Sequence, residues 1–413
     1  MSPLIPIFCL CDSGAAVVVA MVNASNRLAR RYRLRKHSPS QHQSCVPSTG
    51  GPRIPFLLVL AGFLMAGCQT TQVGQIIDAI SSANTNSPAI TASNATQNAD
   101  GVISVGTFVR PAIGFHQGIV TVLAEGPSMA SVWRWTLKGG KWIGKMAVQG
   151  SDATAGRTYG AGVAADIGVF RFGPKGDHGT WKGPGLIMPD GRIIRTGLST
   201  GVGRLAVDDK GLVLMGKNAE WARVNPDGTL GQRGQWKGLT TGEKLAFTAS
   251  GSTWACAMGG FSKQDSSVGI GNASGCKVIK VAAFGNYPSM GPDQNWPSVA
   301  IDSNGAVWFA SAYAGRLMVN AVTAGKARWP ITALKDMGPC ATGDRCPPRL
   351  LTVRGLPLAV YEAPGKAIML QAVPDGKPVR IATGSQPAAT VGPDGIIRVV
   401  YVADGLRYKE IKP

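Results

Sequence analysis

Few side chains of this sequence are suited to acid–base or nucleophilic catalysis. The chain holds four histidines, and only His116 and His178 follow residue 67. A Ser-His-Asp triad would have to recruit one of these two, and His116 falls in a predicted hairpin turn, where a solvent-exposed role is expected. The sequence also lacks the Gly-x-x-x-x-Gly-Lys-Ser/Thr loop that cradles nucleotide phosphates. Triad hydrolases and P-loop enzymes are therefore disfavoured.

A cysteine near the N-terminus indicates a different chemistry, covalent lipidation. Leu64-Met65-Ala66-Gly67-Cys68 follows an apolar stretch directly and resembles the lipobox of bacterial lipoproteins. The resemblance implies that Cys68 is lipidated and becomes the mature N-terminus, and that Gln69 in the following position argues against retention in the inner membrane. The apolar stretch is too short to span a bilayer comfortably. We expect an exported outer-membrane lipoprotein that faces the periplasm or the cell surface and contacts the membrane through its lipid.

Residues 1–67 are interpreted as a signal segment and residues 68–104 as a linker. The basic run RLARRYRLRK at 27–36 could be a nucleic-acid arm. A translation start near Val46 instead gives a short basic region with Arg53 and then an apolar core, the normal layout of a signal peptide. With Met1 as the start, the run becomes an unusually long basic region. Residues 68–104 are rich in Ser, Thr, Asn, Gln and Ala and contain no aromatic residue, which predicts a flexible tether.

Four further cysteines follow Cys68, and an even number in an exported chain predicts disulfides. They are Cys256, Cys276, Cys340 and Cys346. Neighbours in sequence would pair as Cys256–Cys276 and Cys340–Cys346, although four cysteines permit three connectivities. A zinc site would need histidines or a Cys-x-x-Cys spacing nearby, and neither is present. We predict two disulfides, no metal and no cofactor.

One segment resembles a known enzyme family. Residues 108–126, FVRPAIGFHQGIVTVLAEG, are similar to the opening strands of the sialidase superfamily, in which an aromatic-Arg-Ile-Pro motif precedes a hairpin that ends in Ala-Glu-Gly-Arg. Arg110-Pro111-Ala112 and Ala124-Glu125-Gly126 match the two ends. The resemblance implies that Arg110 is one of three arginines that grip a substrate carboxylate through bidentate hydrogen bonds. The chain departs from the pattern because it lacks the Ile and has Pro127 in place of the second Arg.

The other residues that this resemblance requires are scattered along the chain. A sialidase also uses a Tyr/Glu pair as nucleophile and an aspartic acid. The candidates here are Arg110, Arg171, Tyr287 and Glu362, with Arg157 and Arg204 as further arginines. Nothing in their spacing pairs them, and an Arg-Pro before a strand is common without any binding role. We predict that no three-arginine cluster with a neighbouring Tyr/Glu pair exists.

A repeated strand–turn–strand unit must position these residues. Residues 298–312, SVAIDSNGAVWFASA, show the unit well. Val299 and Ile301 alternate with small or polar residues, Asp302-Ser303-Asn304-Gly305 has turn chemistry, and Val307 and Phe309 resume the alternation. A period of two predicts a hairpin with one buried face.

The unit recurs at an average interval of about 46 residues. Its turn glycines are Gly118, Gly168, Gly211, Gly251, Gly305, Gly355 and Gly395. Periods of 40–50 residues built from short strands are typical of a β-propeller. The prediction is an all-β chain in which residues 105–413 form a propeller of seven blades, with six or eight as alternatives.

Charge and aromatic residues indicate the kind of partner. The net charge is +19. Residues 68–413 hold 35 Lys/Arg against 22 Asp/Glu, which leaves about +13 for the mature part. A basic field favours anionic partners, but the basic residues are scattered singly. The tryptophans could stack on sugar rings, and packing between blades is the other reading.

These observations predict a tethered propeller that acts as a binding or scaffold module for envelope proteins or anionic glycans, with no nucleic acid as partner. The alternative is a sialidase-type glycoside hydrolase or its inactive descendant. Fold alone does not separate the two, because propellers host unrelated functions. The side chains that line the central axis would separate them.

Overall fold

The structure, a computed structural model, describes twelve stretches of the chain. They are residues 101–126, 131–149, 162–171, 183–198, 203–239, 244–259, 266–280, 297–313, 315–323, 325–329, 334–341 and 347–412. The predicted signal segment, Cys68 and most of the expected tether lie outside these stretches. No helix in the described part of the chain is long and apolar enough to cross a membrane.

The described strands form seven antiparallel sheets, which are the blades of a β-propeller. In most blades the strands pair in chain order, and the first strands of neighbouring blades lie next to each other around the axis. Successive side chains of a strand point to opposite faces of its sheet. Each blade therefore packs one face against the preceding blade and the other against the following blade. The predicted all-β, seven-bladed propeller is confirmed.

The first strand, β1 (Gly101–Val105), precedes three blades of regular build. Blade 1 contains β2 (Val109–His116), β3 (Ile119–Glu125), β4 (Ser131–Lys138) and β5 (Lys141–Gln149). Blade 2 contains β6 (Gly162–Ala164), β7 (Ile167–Arg171), β8 (Pro184–Ile187) and β9 (Ile193–Arg195). Blade 3 contains β10 (Gly203–Asp208), β11 (Gly211–Gly216), β12 (Glu220–Val224) and β13 (Leu230–Gln235), with a single 3₁₀ turn at Lys217–Ala219.

Blades 4 to 6 repeat this order with one addition. Blade 4 contains β14 (Lys244–Ser250), β15 (Thr253–Gly259), β16 (Ser266–Asn272) and β17 (Gly275–Lys280). Blade 5 contains β18 (Ser298–Ile301), β19 (Val307–Tyr313), β20 (Arg316–Thr323) and two short outer strands that both pair with β20, β21 (Lys326–Ala327) and β22 (Lys335–Pro339). Blade 6 contains β23 (Arg349–Val353), β24 (Leu356–Ala363), β25 (Ala367–Ala372) and β26 (Val379–Thr383).

Blade 7 closes the ring with strands from both ends of the described chain. It contains β27 (Ser385–Val391), β28 (Ile397–Val402) and β29 (Gly405–Ile411), and β1 supplies its outermost strand. Val105 pairs with Gly405, and Gly101 pairs with Tyr408. Residues 101–104, which the sequence assigned to the linker, are therefore part of the propeller. Ile103 explains this, because its side chain is buried in the cluster between blades 7 and 1.

The core is divided among the blade interfaces. Seven clusters of buried apolar side chains each join two adjacent blades. Between blades 3 and 4, Trp221 and Trp254 meet edge to face with ring centroids 5.2 Å apart, and Trp236 packs beside them. Between blades 7 and 1, Trp142 meets Tyr408 in the same way at 5.1 Å. These tryptophans pack between blades rather than lie open for sugar stacking.

The turn glycines mark the first hairpin of the blades, as the repeat predicted. Six of the seven have positive φ angles, for example +74° at Gly305, a region that glycine enters without steric penalty. Gly168 is the exception, since it lies inside β7 and the turn of blade 2 is made by Ala165 and Asp166. Gly168 is needed for a different reason. A Cβ atom there would lie 2.4 Å from Leu123 Cδ1 of blade 1.

Aspartates at these turns hold the blades by hydrogen bonds. Asp302 accepts bonds from the backbone N–H groups of Asn304 and Ala306 and from Trp308 Nε1 of its own blade at 2.8 Å. The equivalent Asp208 accepts from Trp254 Nε1 of the next blade at 2.7 Å. The Asp-x-x-Gly hairpins are thus structural elements.

The predicted Cys256–Cys276 disulfide is not formed. Both thiols are free, and β16 lies between the strands that carry them, with Cys256 opposite Gly269 and Cys276 opposite Gly271. Two strand spacings separate Cα atoms by about 9–10 Å, beyond the roughly 7 Å that a disulfide can span. Cys340 is also free. Its predicted partner, Cys346, lies outside the described stretches.

Candidate functional site

The innermost strands enclose a channel along the propeller axis. Its volume is about 230 Å³, and its lining comes from the first strand of every blade. Most of the lining is small or apolar, as at Ala112, Ala246 and Ala388. Two arginines, Arg204 and Arg349, also line it. Among the described residues of the lining there is no Asp or Glu.

The two arginines occupy the same level of the channel. In each blade, the last residue before the first turn that still bonds across the hairpin closes that hairpin, as Asp208 does in blade 3. We define the ring position as the residue four places before this closing residue. In the six blades where this residue is described, it is Ala112, Arg204, Ala246, Ser298, Arg349 and Ala388. Four of these side chains are small, so they leave space on the axis that the guanidinium groups of blades 3 and 6 can occupy.

Burial has a large effect on both guanidinium groups. Burial, with the nearby positive charge of Arg349 as a second cause, lowers the pKa of Arg204 from 12.5 to about 9. Burial lowers the pKa of Arg349 from 12.5 to about 10. Both side chains stay protonated at neutral pH. The lowered pKa values reflect mainly the cost of placing charged groups in a partly dehydrated channel, with repulsion from Arg349 as a second cause at Arg204.

Donor groups surround this pair of charges. Arg349 Nε is buried and has no hydrogen-bond partner among the described residues. The Ser298 hydroxyl lies in the same ring and accepts the Leu350 N–H at 2.7 Å, so its own proton is available to donate. The Thr248 and Thr390 side chains also line the channel. The site can therefore donate several hydrogen bonds to an acceptor on the axis.

Arg110, the strongest sequence candidate, is directed away from the channel. It sits in a β-bulge of β2 with φ at +52°, and its Nη1 donates to Glu125 Oε2 of β3 at 2.7 Å. The Glu125 side chain is 0% exposed and that of Arg110 is 8% exposed. The guanidinium is therefore bonded to a carboxylate of its own blade.

The Arg110 bulge belongs to a hydrogen-bonded seam across three blades. Gln386 of β27 has the same local structure, with φ at +55° and a register shift before Ala388. The Arg110 N–H donates to Gln386 Oε1 at 2.8 Å, and the Gln386 N–H donates to Glu362 Oε2 at 2.8 Å. Glu362, another candidate from sequence, thus links blades 6 and 7 and does not line the channel.

The remaining candidates are not brought together within the described residues. Arg171 is the last residue of β7, and only its backbone is described. Tyr287 and Arg157 lie outside the described stretches. Of the predicted arginines whose side chains are described, Arg204 lines the channel and Arg110 does not. Arg349 was missed, and the signal that could have found it is its place four residues before the hairpin of its repeat.

A serine nucleophile elbow and a metal centre are two other kinds of functional site. A Gly-x-Ser-x-Gly pattern occurs at residues 197–201. A nucleophile elbow joins a strand to a helix, whereas this segment joins β9 to the innermost strand β10, and Ser199 lies outside the described stretches. In the part of the chain that is described, no group of three His, Cys, Asp or Glu residues is arranged to hold a metal ion.

No protein-family profile matches the chain, and no curated protein matches it. Similar solved structures include the hydrazine synthase of Kuenenia stuttgartiensis, which is 11% identical with a TM-score of 0.52 over 79% of this chain and 100% of that chain. A catalytically inactive virginiamycin B lyase from Staphylococcus aureus, with quinupristin, is 13% identical with a TM-score of 0.45 over 78% of this chain and 98% of that chain.

A sialidase is also among these structures. The Trypanosoma rangeli sialidase, in complex with the inhibitor DANA, is 10% identical with a TM-score of 0.40 over 74% of this chain and 54% of that chain. At such identities a likeness concerns the fold alone. The chain is a seven-bladed β-propeller, and its similarity to sialidases is a degenerate one.

Proposed function

We propose that this protein is a non-catalytic binding module, held at the outer membrane by a lipid on Cys68, whose ligand occupies the axial channel. The observation that carries the proposal is the ion pair between Arg110 and Glu125. In a sialidase-type hydrolase this arginine would face open space and meet the carboxylate of the substrate. Here Arg110 instead donates a hydrogen bond to the buried carboxylate of Glu125.

The energetics of this pair favour a structural role. Removing one partner of a buried ion pair leaves an uncompensated charge, at a cost of about 3–5 kcal/mol. Arg110 donates to Glu125 through Nη1 and its side chain is 8% exposed, so a substrate carboxylate would have to enter a closed part of blade 1 to reach the guanidinium. Arg110 is therefore better understood as a structural link between β2 and β3.

The axial channel is the better binding site because its polar groups point at an enclosed space. Ligand sites in proteins are concave and marked by a few convergent polar groups, and the channel is a concave space lined by two arginines and three hydroxyl side chains. The excess of basic residues in the mature chain supports an anionic partner, either a glycan or an acidic surface of an envelope protein.

An activity assay with a matched variant tests the absence of catalysis. The purified wild-type protein and Arg110→Ala should both release no sialic acid from a fluorogenic sialoside, under conditions in which a control sialidase completes the reaction. Turnover by the wild type that Arg110→Ala abolishes would contradict the proposal and favour the hydrolase.

A further inference from the structure

Arg204 and Arg349 face each other across the propeller axis. Blades 3 and 6 are three steps apart in one direction around the ring and four in the other, so their innermost strands are almost opposite. Arg204 is the second residue of β10, and Arg349 is the first residue of β23. Both therefore lie near the end of the channel where the innermost strands begin.

We infer that the channel binds one oxyanion group, a carboxylate or a phosphate, between Arg204 and Arg349, carried by a small ligand or by the end of a larger one. This inference rests on the proposed binding function and names the group that the ligand carries. The first support for this inference is the donor geometry of the arginine side chain. A guanidinium presents a rigid fork of N–H donors that matches the oxygens of a carboxylate or phosphate.

The donors that are already in place fit an anion better than a neutral ligand. Arg349 Nε is buried without a hydrogen-bond partner among the described residues, as are the Nε atoms of Arg134 and Arg398, but of these three arginines Arg349 alone lines the channel, where a ligand or water can reach it. Water could satisfy the hydrogen bond. An anion would also reduce the repulsion that Arg349 exerts on Arg204.

The size of the channel limits what can enter. A volume of about 230 Å³ corresponds to roughly eight water molecules at about 30 Å³ each. A free phosphate or a single sugar acid fits this space. A larger ligand would insert only its charged end, with the rest held outside the channel. The inference therefore covers both a small anion and an acidic terminal group.

Calorimetric titration of the mature full-length protein tests this inference. The probes are inorganic phosphate and D-glucuronate, added at constant ionic strength against chloride, with D-glucose as the neutral control. We expect saturable binding of at least one anion and none of glucose. Preference for glucuronate would indicate a carboxylate ligand, and preference for phosphate a phosphorylated one.

Three variants that each remove one positive charge, one of them a control, test whether the anion binds between the two arginines. Arg204→Gln and Arg349→Gln should each lower the affinity for the anion about tenfold or more, because each removes one charge-assisted hydrogen bond. Arg233→Gln removes an exposed arginine from the outer strand of the same blade as Arg204 and should leave affinity unchanged. Arg349→Lys keeps the charge without the fork and should lie between the wild type and Arg349→Gln.

Two results would overturn the inference. One is a wild-type protein that binds neither anion more tightly than chloride. The other is unchanged affinity in folded Arg204→Gln and Arg349→Gln proteins. Either result would leave the proposed non-catalytic role standing, since that proposal fails only when sialoside turnover is detected.

Discussion

Arg204 and Arg349 stand at the same level of the axial channel, and burial, followed by the positive charge of Arg349, lowers the pKa of Arg204. The two residues come from blades 3 and 6, which meet only across the axis. Two like charges that interact in a partly buried space destabilise the folded protein when no anion is bound.

Removing one of these charges should therefore stabilise the protein in buffer without binding anions. We expect Arg349→Gln to raise the free energy of unfolding by about 1 kcal/mol, because a shift of one pKa unit corresponds to about 1.4 kcal/mol. Urea denaturation gives the value. Arg398→Gln is the control, since Arg398 is buried and bonded to Asp394 at 2.6 and 3.0 Å, and its loss should destabilise. A comparable destabilisation by Arg349→Gln would argue against the repulsion.

The Arg110–Glu125 pair should behave as a structural unit. Arg110→Gln and Glu125→Gln should each lower the free energy of unfolding by about 3–5 kcal/mol, because each leaves a buried charge unpaired. The double variant should cost less than the sum of the two, since neither charge then remains. A double-mutant cycle by chemical denaturation measures this coupling. Strictly additive effects would contradict the pairing.

Asp208 should make stability depend on pH in the acid range. Burial raises the pKa of Asp208, but hydrogen bonds from Arg223 at 2.5 and 2.7 Å and from Trp254 outweigh this effect and hold the pKa below 3.8. Because the folded-state pKa lies below the unfolded one, the stabilisation is complete above about pH 4 and is lost as the pH falls through the folded-state pKa.

Asp208→Asn should accordingly lower the free energy of unfolding by about 2–4 kcal/mol near pH 7 and flatten its change below about pH 4. Denaturation curves across this pH range provide the measurement. Asp404→Asn removes an exposed carboxylate that pairs with Arg407 and should have little effect. An unchanged acid dependence in Asp208→Asn would assign it to other carboxylates.

The thiols of Cys256 and Cys276 should remain unlinked and differ in reactivity. Burial, with the nearby Cys276 as a second cause, raises the pKa of Cys256 strongly, and burial raises that of Cys276 less. In native protein, Cys276 should react with a thiol reagent well before Cys256, and both should react in denaturant. Cys256→Ser should leave the fast phase intact. A Cys256–Cys276 cross-link in non-reducing peptide maps would contradict the strand order of blade 4.

Cys68 should control processing and location. Cys68→Ser should yield an uncleaved precursor or a soluble protein instead of a membrane-bound form that lacks residues 1–67. Fractionation and mass spectrometry of the N-terminus test this, with Cys340→Ser as the control that keeps the lipidation site. A Cys68→Ser protein that matures and fractionates like the wild type would exclude the lipobox.

The repeated hairpin could be predicted from sequence because its causes are local. Alternation of apolar residues and a glycine at the turn are written into about fifteen consecutive residues, as in 298–312, and their recurrence gave the number of blades. The basic charge and the segment that resembles a lipobox are also properties of the chain alone. Even the misplaced Gly168 fell within three residues of the true turn at Ala165 and Asp166.

Only the tertiary structure decided which side chains share a site. Arg110 and Glu125 match a sialidase motif in sequence, but a bulge in β2 turns them toward each other. Cys256 and Cys276 are close in sequence, yet an intervening strand separates them. Arg204 and Arg349 meet because closure of the seven-bladed ring brings opposite innermost strands to one axis. Contacts of this kind depend on register and ring closure, which no local pattern of residues encodes.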